Sequence, residues 1–376
     1  MKKIITILCL LCFIVSYSQE ESIEKLIRKA KRGNTEAQVA LGLCYFEGNG
    51  VPQSYEEAVK WYTKAADKNN PDGQNRLGIC YYEGKGVPQF YEKAVLLYMK
   101  AAINNHPKAQ CNLAIAYYNG QGIPQSYEKA IEWYTKSANQ GFPPAQYNLA
   151  LHYYKGEGIL QSYEKAAEWF EKAAAQDEPN AQRYLGTIAY KEKDYTQAKQ
   201  WWEQAAAQGH APAIASLGDL YINGEGVTQD FAKARSLYEE GAKQEKYAAK
   251  SMIGLFEIYY EGKGVKESEK QAIEWAEKSC ALETLGSAQG CALMGHAYFG
   301  GEIGLPKDNQ KAFEYSMKAA LNGYNGGAFT LVRLREQGFV FPDTDKEQVI
   351  EFTDNFQNRP YWTTRGVIKK LESLQD

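Results

Sequence analysis

The chain is poor in the residues that carry most enzyme chemistry. Only four of its 376 residues are histidine, and none of His106, His152, His210 and His296 stands at metal-ligand spacing from another histidine or from a cysteine pair. No metal and no cofactor is therefore expected, and no segment reads as a nucleophile beside its base. Massed basic charge is also missing. Lys and Arg alternate with Glu along the chain and the formal net charge is −3. Nucleic-acid partners normally demand a basic stripe, so none is expected, nor is a membrane surface bound through a basic face. Beyond the first 18 residues no stretch reaches the roughly 20 apolar residues that a membrane-spanning helix needs.

The one apolar run lies at the start. Lys2 and Lys3 precede a 12-residue stretch from Ile4 to Val15, followed by Ser16-Tyr17-Ser18. This order of charge, short apolar core and small residues reads as a secretory signal peptide over 1–18, with cleavage after Ser18. The expected location is exported, periplasmic or extracellular. Cys9 and Cys12 would leave with the signal, so Cys44, Cys80, Cys111, Cys280 and Cys291 remain. An odd count leaves at least one thiol unpaired within the chain.

Internal repetition dominates what is present. A leucine followed by a small residue recurs as Leu41-Gly42, Leu77-Gly78, Leu113-Ala114, Leu149-Ala150 and Leu185-Gly186, every 36 residues. Leu217-Gly218, Leu255 and Met294-Gly295 continue the series at spacings of 32, 38 and 39. A period in this range marks a repeat architecture. Each unit reads as two helices. In the first, Ala37, Leu41 and Tyr45 share one helical face, and Gly48-Asn49-Gly50 then stops the helix. Pro52 bars its continuation, Ser54 caps the second helix, and Glu57 is placed to complete a capping box. The second helix carries Ala58, Trp61, Tyr62, Ala65 and Ala66 on one face.

The grammar returns with edits. Cap positions are Ser54, Ser126, Ser162, Asp230, Ser268 and Asp308. The second-helix alanine is present in every unit, from Ala58 to Ala312, and three residues later stands Trp61, Trp133, Trp169, Trp201, Trp275 or Tyr315, with Leu97 and Leu237 in the other two. Small residues let paired helices approach, while the large aromatic is expected to fill the space between one pair and the next. The fifth unit drops the glycine loop and turns tightly through Lys191–Asp194.

The pattern A-x-x-x-L-G-x-x-Y-x-x-G-x-G-V-x-x-[SD]-x-x-K-A-x-x-W-Y-x-K-A-A closely resembles the Sel-1-like repeat, a relative of the tetratricopeptide repeat. The resemblance covers roughly residues 37–323. It implies an all-α, right-handed superhelical α/α solenoid of about eight units. The expected organisation is a signal peptide (1–18), an N-terminal capping helix (19–36), the repeat solenoid (37–338) and a C-terminal helical cap (339–376), with helices through about Phe356 and from Thr363 to Leu374. It further implies a protein-interaction scaffold or adaptor that holds a protein or peptide on its concave face. A cell-wall or β-lactam-acting enzyme is the alternative, since penicillin-binding activity has been associated with some cysteine-rich relatives. Secreted relatives also bridge adjacent helices with a cysteine pair arranged like Cys280 and Cys291, which implies a disulfide here.

By tetratricopeptide analogy, positions two before, two after and five after the repeat leucine face inward. The last gives Phe46, Tyr82, Tyr118, Tyr154 and Tyr190; the first gives Val39, Asn75, Cys111, Tyr147 and Arg183. An aromatic row beside Asn and Arg suits an extended peptide, but tyrosine at a repeat position is more often core than site, and packing between units is the favoured reading of these rings. Other apparent motifs have plainer readings. Ser126-x-x-Lys129 and Ser162-x-x-Lys165 match the S-x-x-K of penicillin-recognising enzymes, yet they occupy the helix-cap slot and no K-T-G accompanies them. The G-x-G pairs lie between helices instead of after a strand, so a dinucleotide fingerprint does not apply.

Overall fold

The computed structural model describes residues 23–244, 247–282, 285–342 and 345–357. All regular structure among these residues is helical, and the expected signal peptide and the expected helix from Thr363 lie outside them. The chain forms two compact units that divide between Ala181 and Gln182.

The first unit opens with α1 (residues 23–31) and continues as antiparallel pairs: α2 (Thr35–Glu47) with α3 (Tyr55–Asp67), α4 (Pro71–Glu83) with α5 (Tyr91–Ile103), α6 (Pro107–Asn119) with α7 (Tyr127–Asn139), and α8 (Pro143–Lys155) with α9 (Tyr163–Ala174). Helix α10 (Pro179–Lys191) straddles the division. The second unit adds α11 (Tyr195–Ala207), α12 (Ala211–Asn223), α13 (Phe231–Gly241), α14 (Ala249–Tyr260), α15 (Glu269–Ala281), α16 (Ala288–Gly300), α17 (Asn309–Leu321), α18 (Asn325–Glu336) and α19 (Lys346–Gln357).

Local chemistry fixes each helix end. Gly48 ends α2 in the left-handed region (φ 79°), where its N–H satisfies the Cys44 carbonyl. The cap hydroxyl of Ser54 accepts the Glu57 N–H at 3.2 Å, and Ser126, Ser162, Asp230, Ser268 and Asp308 do the same in their units. The capping box does not close, however. The Ser54 N–H already donates to the Tyr45 carbonyl at 2.9 Å, so Glu57 turns to Lys60 at 2.6 Å. This backbone bond recurs as Phe90 to Tyr81, Ser126 to Tyr117, Ser162 to Tyr153 and Asp230 to Tyr221, tying the start of each second helix to the first.

The core aromatic sits one position later than the sequence pattern indicates. Tyr62 is 1 % exposed, and its counterparts Tyr98, Tyr134, Phe170, Trp202 and Tyr238 are equally buried. These rings lie on the small residue after the repeat leucine: a Cβ on Gly42 would stand 2.5 Å from the Tyr62 ring, and Gly78 meets Tyr98 in the same way. The tryptophans at the preceding position lie nearer the surface under a lysine one turn on. Lys64 over Trp61, Lys136 over Trp133 and Lys172 over Trp169 stand 3.8–4.0 Å from the ring centroids.

Consecutive pairs are joined by contacts between them. The second glycine of each G-x-G presses on the start of the preceding pair's second helix. A Cβ on Gly122 would fall 2.4 Å from the Tyr91 carbonyl carbon. A buried glutamine three residues before the repeat leucine donates to the preceding pair: Gln38 to the Ala30 carbonyl, Gln110 to Ala102 and Gln146 to Ala138, at 3.1–3.2 Å. In the second unit, Cys280 of α15 and Cys291 of α16 are joined by a disulfide, and Phe339 and Phe341 close over Phe313.

Candidate functional site

The aromatic row of Phe46, Tyr82, Tyr118, Tyr154 and Tyr190 is half-buried, and every ring meets the first residue of its own second helix. Phe46 meets Tyr55, Tyr82 meets Tyr91, Tyr118 meets Tyr127, Tyr154 meets Tyr163, and Tyr190 meets Tyr195, with centroids 5.0–5.4 Å apart. Three of the ring tips reach the middle residue of the next pair's glycine loop. Tyr82 donates to Gln121, Tyr118 to Glu157 at 3.2 Å and Tyr190 to Glu225 at 2.8 Å. Phe46 has no hydroxyl and meets Lys85 instead, 5.3 Å from the ring centroid. These contacts make the row a connector between pairs.

The position two before the leucine lies deeper. Asn75 is 2 % exposed and accepts a 2.9 Å bond from Asn112. Cys111 is buried, Tyr147 lies against Phe170 at 5.9 Å, and Arg183 lies over Tyr184 at 3.9 Å.

The open stripe of each first helix is shifted by one residue. It runs along the positions one before and two after the leucine, and only the second was in the expected set. In the first unit the former gives Ala40, Arg76, Asn112 and Asn148, and the latter gives Leu43, Ile79, Ile115 and Leu151. One polar and one aliphatic side chain thus recur in the three pairs from α4 to α9, whereas the same positions hold Tyr184 and Thr187, then Ser216 and Asp219, in the next two.

Between α6 and α8 this stripe opens into a recess of about 230 Å³, lined by Ile115, Tyr118, Tyr134, Asn148, Leu151, His152, Lys155 and Glu157. Ile115 and Leu151 are its aliphatic walls and α7 supplies Tyr134. Lys155 and Glu157 pair across the rim at 3.5 Å. His152 is 3 % exposed and lies edge-on to Tyr118, with centroids 5.5 Å apart. Its Nδ1 donates to the Glu157 carbonyl at 2.8 Å. Burial lowers its pKa, opposed by that carbonyl and by the Glu157 carboxylate. The sequence carries a signal for this residue. The position three after the leucine holds Cys44, Cys80, Ala116, Ile188, Leu220, Ile258 and Ala297 in the other units, so His152 alone is titratable imidazole there.

The nearest approach to a catalytic constellation lies in the second unit. Lys250 reaches the Ser216 hydroxyl at 3.2 Å and Asp219 at 2.6 Å, and Tyr238 donates to Asp219 at 2.6 Å. Lys250 is thereby engaged as the cation of an ion pair, and the Ser216 hydroxyl donates to the Pro212 carbonyl at 3.0 Å. A serine nucleophile needs a base with a free lone pair, which this arrangement does not supply. The Ser126 and Ser162 motifs are helix caps, as their bonds to Lys129 and Lys165 N–H show. Among the described residues no group of three or more His, Cys, Asp and Glu is placed to hold a metal ion, and no helix is long and apolar enough to cross a membrane.

Comparison with known families matches the Sel1 repeat eight times, over residues 35–70, 71–106, 107–142, 143–178, 179–210, 211–246, 249–283 and 288–324. Among solved structures, the chain is similar to a protective antigen of uropathogenic Escherichia coli strains that displays an SLR fold, at 29 % identity and a TM-score of 0.62, over 89 % of this chain and 71 % of that one. It is also similar to a Sel1 repeat protein from Oxalobacter formigenes, at 32 % identity and a TM-score of 0.55, over 73 % of this chain and 80 % of the other. A Pyrococcus horikoshii signal-transduction ATPase with a tetratricopeptide-repeat sensor shares the fold at 17 % identity and a TM-score of 0.52, over 91 % of this chain and 55 % of that one. Comparison with curated proteins finds no match.

Proposed function

Because the chain belongs to the Sel1-repeat family, whose members typically mediate protein–protein contacts, we propose that it is an interaction scaffold that holds an extended segment of a partner along the open stripe of its first helices. The observation that carries this reading is the regular pairing of one polar and one aliphatic side chain per repeat, from Arg76 with Ile79 to Asn148 with Leu151. Packed helices stand roughly 8–10 Å apart, and an extended chain in the polyproline II conformation rises about 3.1 Å per residue with three residues per turn. Roughly three peptide residues therefore span one repeat. Amides and a guanidinium at that spacing can bond the peptide backbone, while the aliphatic row takes every third side chain.

The test uses a random peptide library displayed on phage and selected against the full chain. Expected binders carry an apolar residue at every third position and are lost with Ile115→Glu or Leu151→Glu. Enrichment that ignores both substitutions, or none above background, rejects the reading.

We also propose that the protein is exported to the periplasm or the medium. The order of charge and apolar residues from Lys2 to Ser18 supports this, and so does the Cys280–Cys291 bond, since disulfides persist in oxidising compartments. Cell fractionation tests it: retention in the cytoplasm with Met1–Ser18 still attached would refute export.

A further inference from the structure

We propose that the recess between α6 and α8 is a subsite for a phenol ring, the side chain of a tyrosine in the bound peptide, held by His152 and Tyr134. This deepens the reading above and rests on it for the source of the ring.

Two polar side chains on the recess have bonding capacity that the protein itself leaves unused. His152 and Tyr134 are each 3 % exposed, and both line the recess. His152 engages its Nδ1–H with the Glu157 carbonyl. In the neutral ring Nε2 is then an acceptor, and no other group among the described residues bonds it. The Tyr134 hydroxyl also has no protein partner among the described residues. Both groups open onto the recess, where water or the polar tip of a ligand completes them.

The void selects the occupant's chemistry. A cavity of about 150 Å³ takes a benzene ring, so about 230 Å³ admits one six-membered ring beside the Ile115 and Leu151 walls. Its polar tip must donate to His152 Nε2 and accept from the Tyr134 hydroxyl. A phenol does both. An indole N–H only donates, and a phenylalanine ring would leave both protein groups unbonded. A carboxylate offers no proton to Nε2 and would meet the Glu157 carboxylate at the rim.

Repeat comparison separates this from a scaffold role. Seven other units hold cysteine, alanine, isoleucine or leucine at the His152 position and still form the same helix pair. The fold therefore does not require imidazole there.

The test titrates p-cresol and, separately, toluene into the full chain, following the His152 ring nitrogens and the Ile115 and Leu151 methyl groups by NMR. Saturable shifts of all of these with p-cresol, and binding of toluene at least roughly tenfold weaker, are expected from one to two lost hydrogen bonds. Equal affinity for the two, or no saturable shift with p-cresol, overturns the proposal. His152→Leu, the residue that Leu220 already represents in another repeat, should erase the preference for p-cresol over toluene. Should that variant misfold, Tyr134→Phe provides the same readout. Cresol binding needs no peptide, so a failed subsite with peptide selection intact rejects only this inference. Cresol binding without peptide enrichment rejects only the scaffold reading.

Discussion

The buried glutamines give the sharpest test of how the repeats hold together. Gln140 donates to Gln110 Oε1 at 2.7 Å, Gln176 to Gln146 at 3.0 Å and Gln208 to Gln182 at 2.9 Å. The corresponding second residues for Gln38 and Gln74 are Lys68 and Asn104. Lys68 reaches only the Gly33 carbonyl at 2.7 Å, Asn104 turns back to Lys100, and both Gln38 Oε1 and Gln74 Oε1 stay buried without a partner. Lys68→Gln should keep the bond to Gly33, as Gln176 bonds Gly141, and add one to Gln38 Oε1, as Gln176 bonds Gln146. Net gain per completed bond is about 1 kcal/mol. For a cooperative unit the size of the first, this raises the melting temperature by roughly 2–4 °C. Asn104→Gln should add a similar amount, independently. The mirror substitution, Gln176→Lys, orphans Gln146 Oε1 and should cost about 1–3 kcal/mol. Calorimetry or circular dichroism of the three variants decides the matter. If Lys68→Gln destabilises while Gln176→Lys is neutral, the second glutamine does not complete the buried acceptor and the account of the interface is wrong.

Three further outcomes are expected. Gly122→Ala should lose more stability than Gly141→Ala: both have positive φ, but a Cβ at Gly122 meets the Tyr91 backbone at 2.4 Å while one at Gly141 meets nothing within 4 Å. The Gly141 variant then reports backbone strain alone, roughly 1 kcal/mol, and equal losses would show that the inter-repeat contact is slack. His106, His152 and His296 all have pKa values lowered by burial from 6.5, so the unfolded chain takes up protons first; their stabilisation is full above about pH 6.5 and is lost as pH falls below it. Melting temperature measured from about pH 7.5 to pH 5 should decline, with a shallower slope in His152→Leu, and a flat profile counts against neutral buried imidazoles. Replacing Cys280 and Cys291 together by serine opens a loop of sequence separation 11 and should cost about 3 kcal/mol; limited proteolysis should then find new cleavage near α15 and α16, and unchanged resistance would show that packing alone secures them.

Much of the fold was legible because each helix boundary has a local cause. Glycine at positive φ, proline after it and a cap hydroxyl act within a few residues, so the spacing that repeats them also repeats the helices. What failed was phase. Trp61 and Tyr62 are both large and aromatic, and only contact with Gly42 decides that Tyr62 goes inside. The Glu57 box failed because the Ser54 N–H had a distant claimant, the Tyr45 carbonyl, which no local motif announces. The inner-face register slipped in the same way. First helices have neighbours on three sides, which leaves a narrow free stripe, and one residue turns a helix by about 100°. Asn75 therefore falls inside and Arg76 outside.

The tyrosine that bonds the next glycine loop carries a consequence for how such a chain can change over generations. Tyr82 with Gln121 and Tyr118 with Glu157 each stand 39 residues apart, so each pair spans two units. Copying one 36-residue block between them puts a Tyr hydroxyl beside another Gln or Glu oxygen, and the new junction is sound. Moving the block that carries Lys85 next to any of these tyrosines sets an ammonium beside the hydroxyl, which then accepts from it as Tyr81 accepts from Lys93, so the junction keeps a bond of reversed direction. Duplication is thus open to this chain at each of these junctions, and only the direction of the bond differs where Lys85 supplies the loop residue.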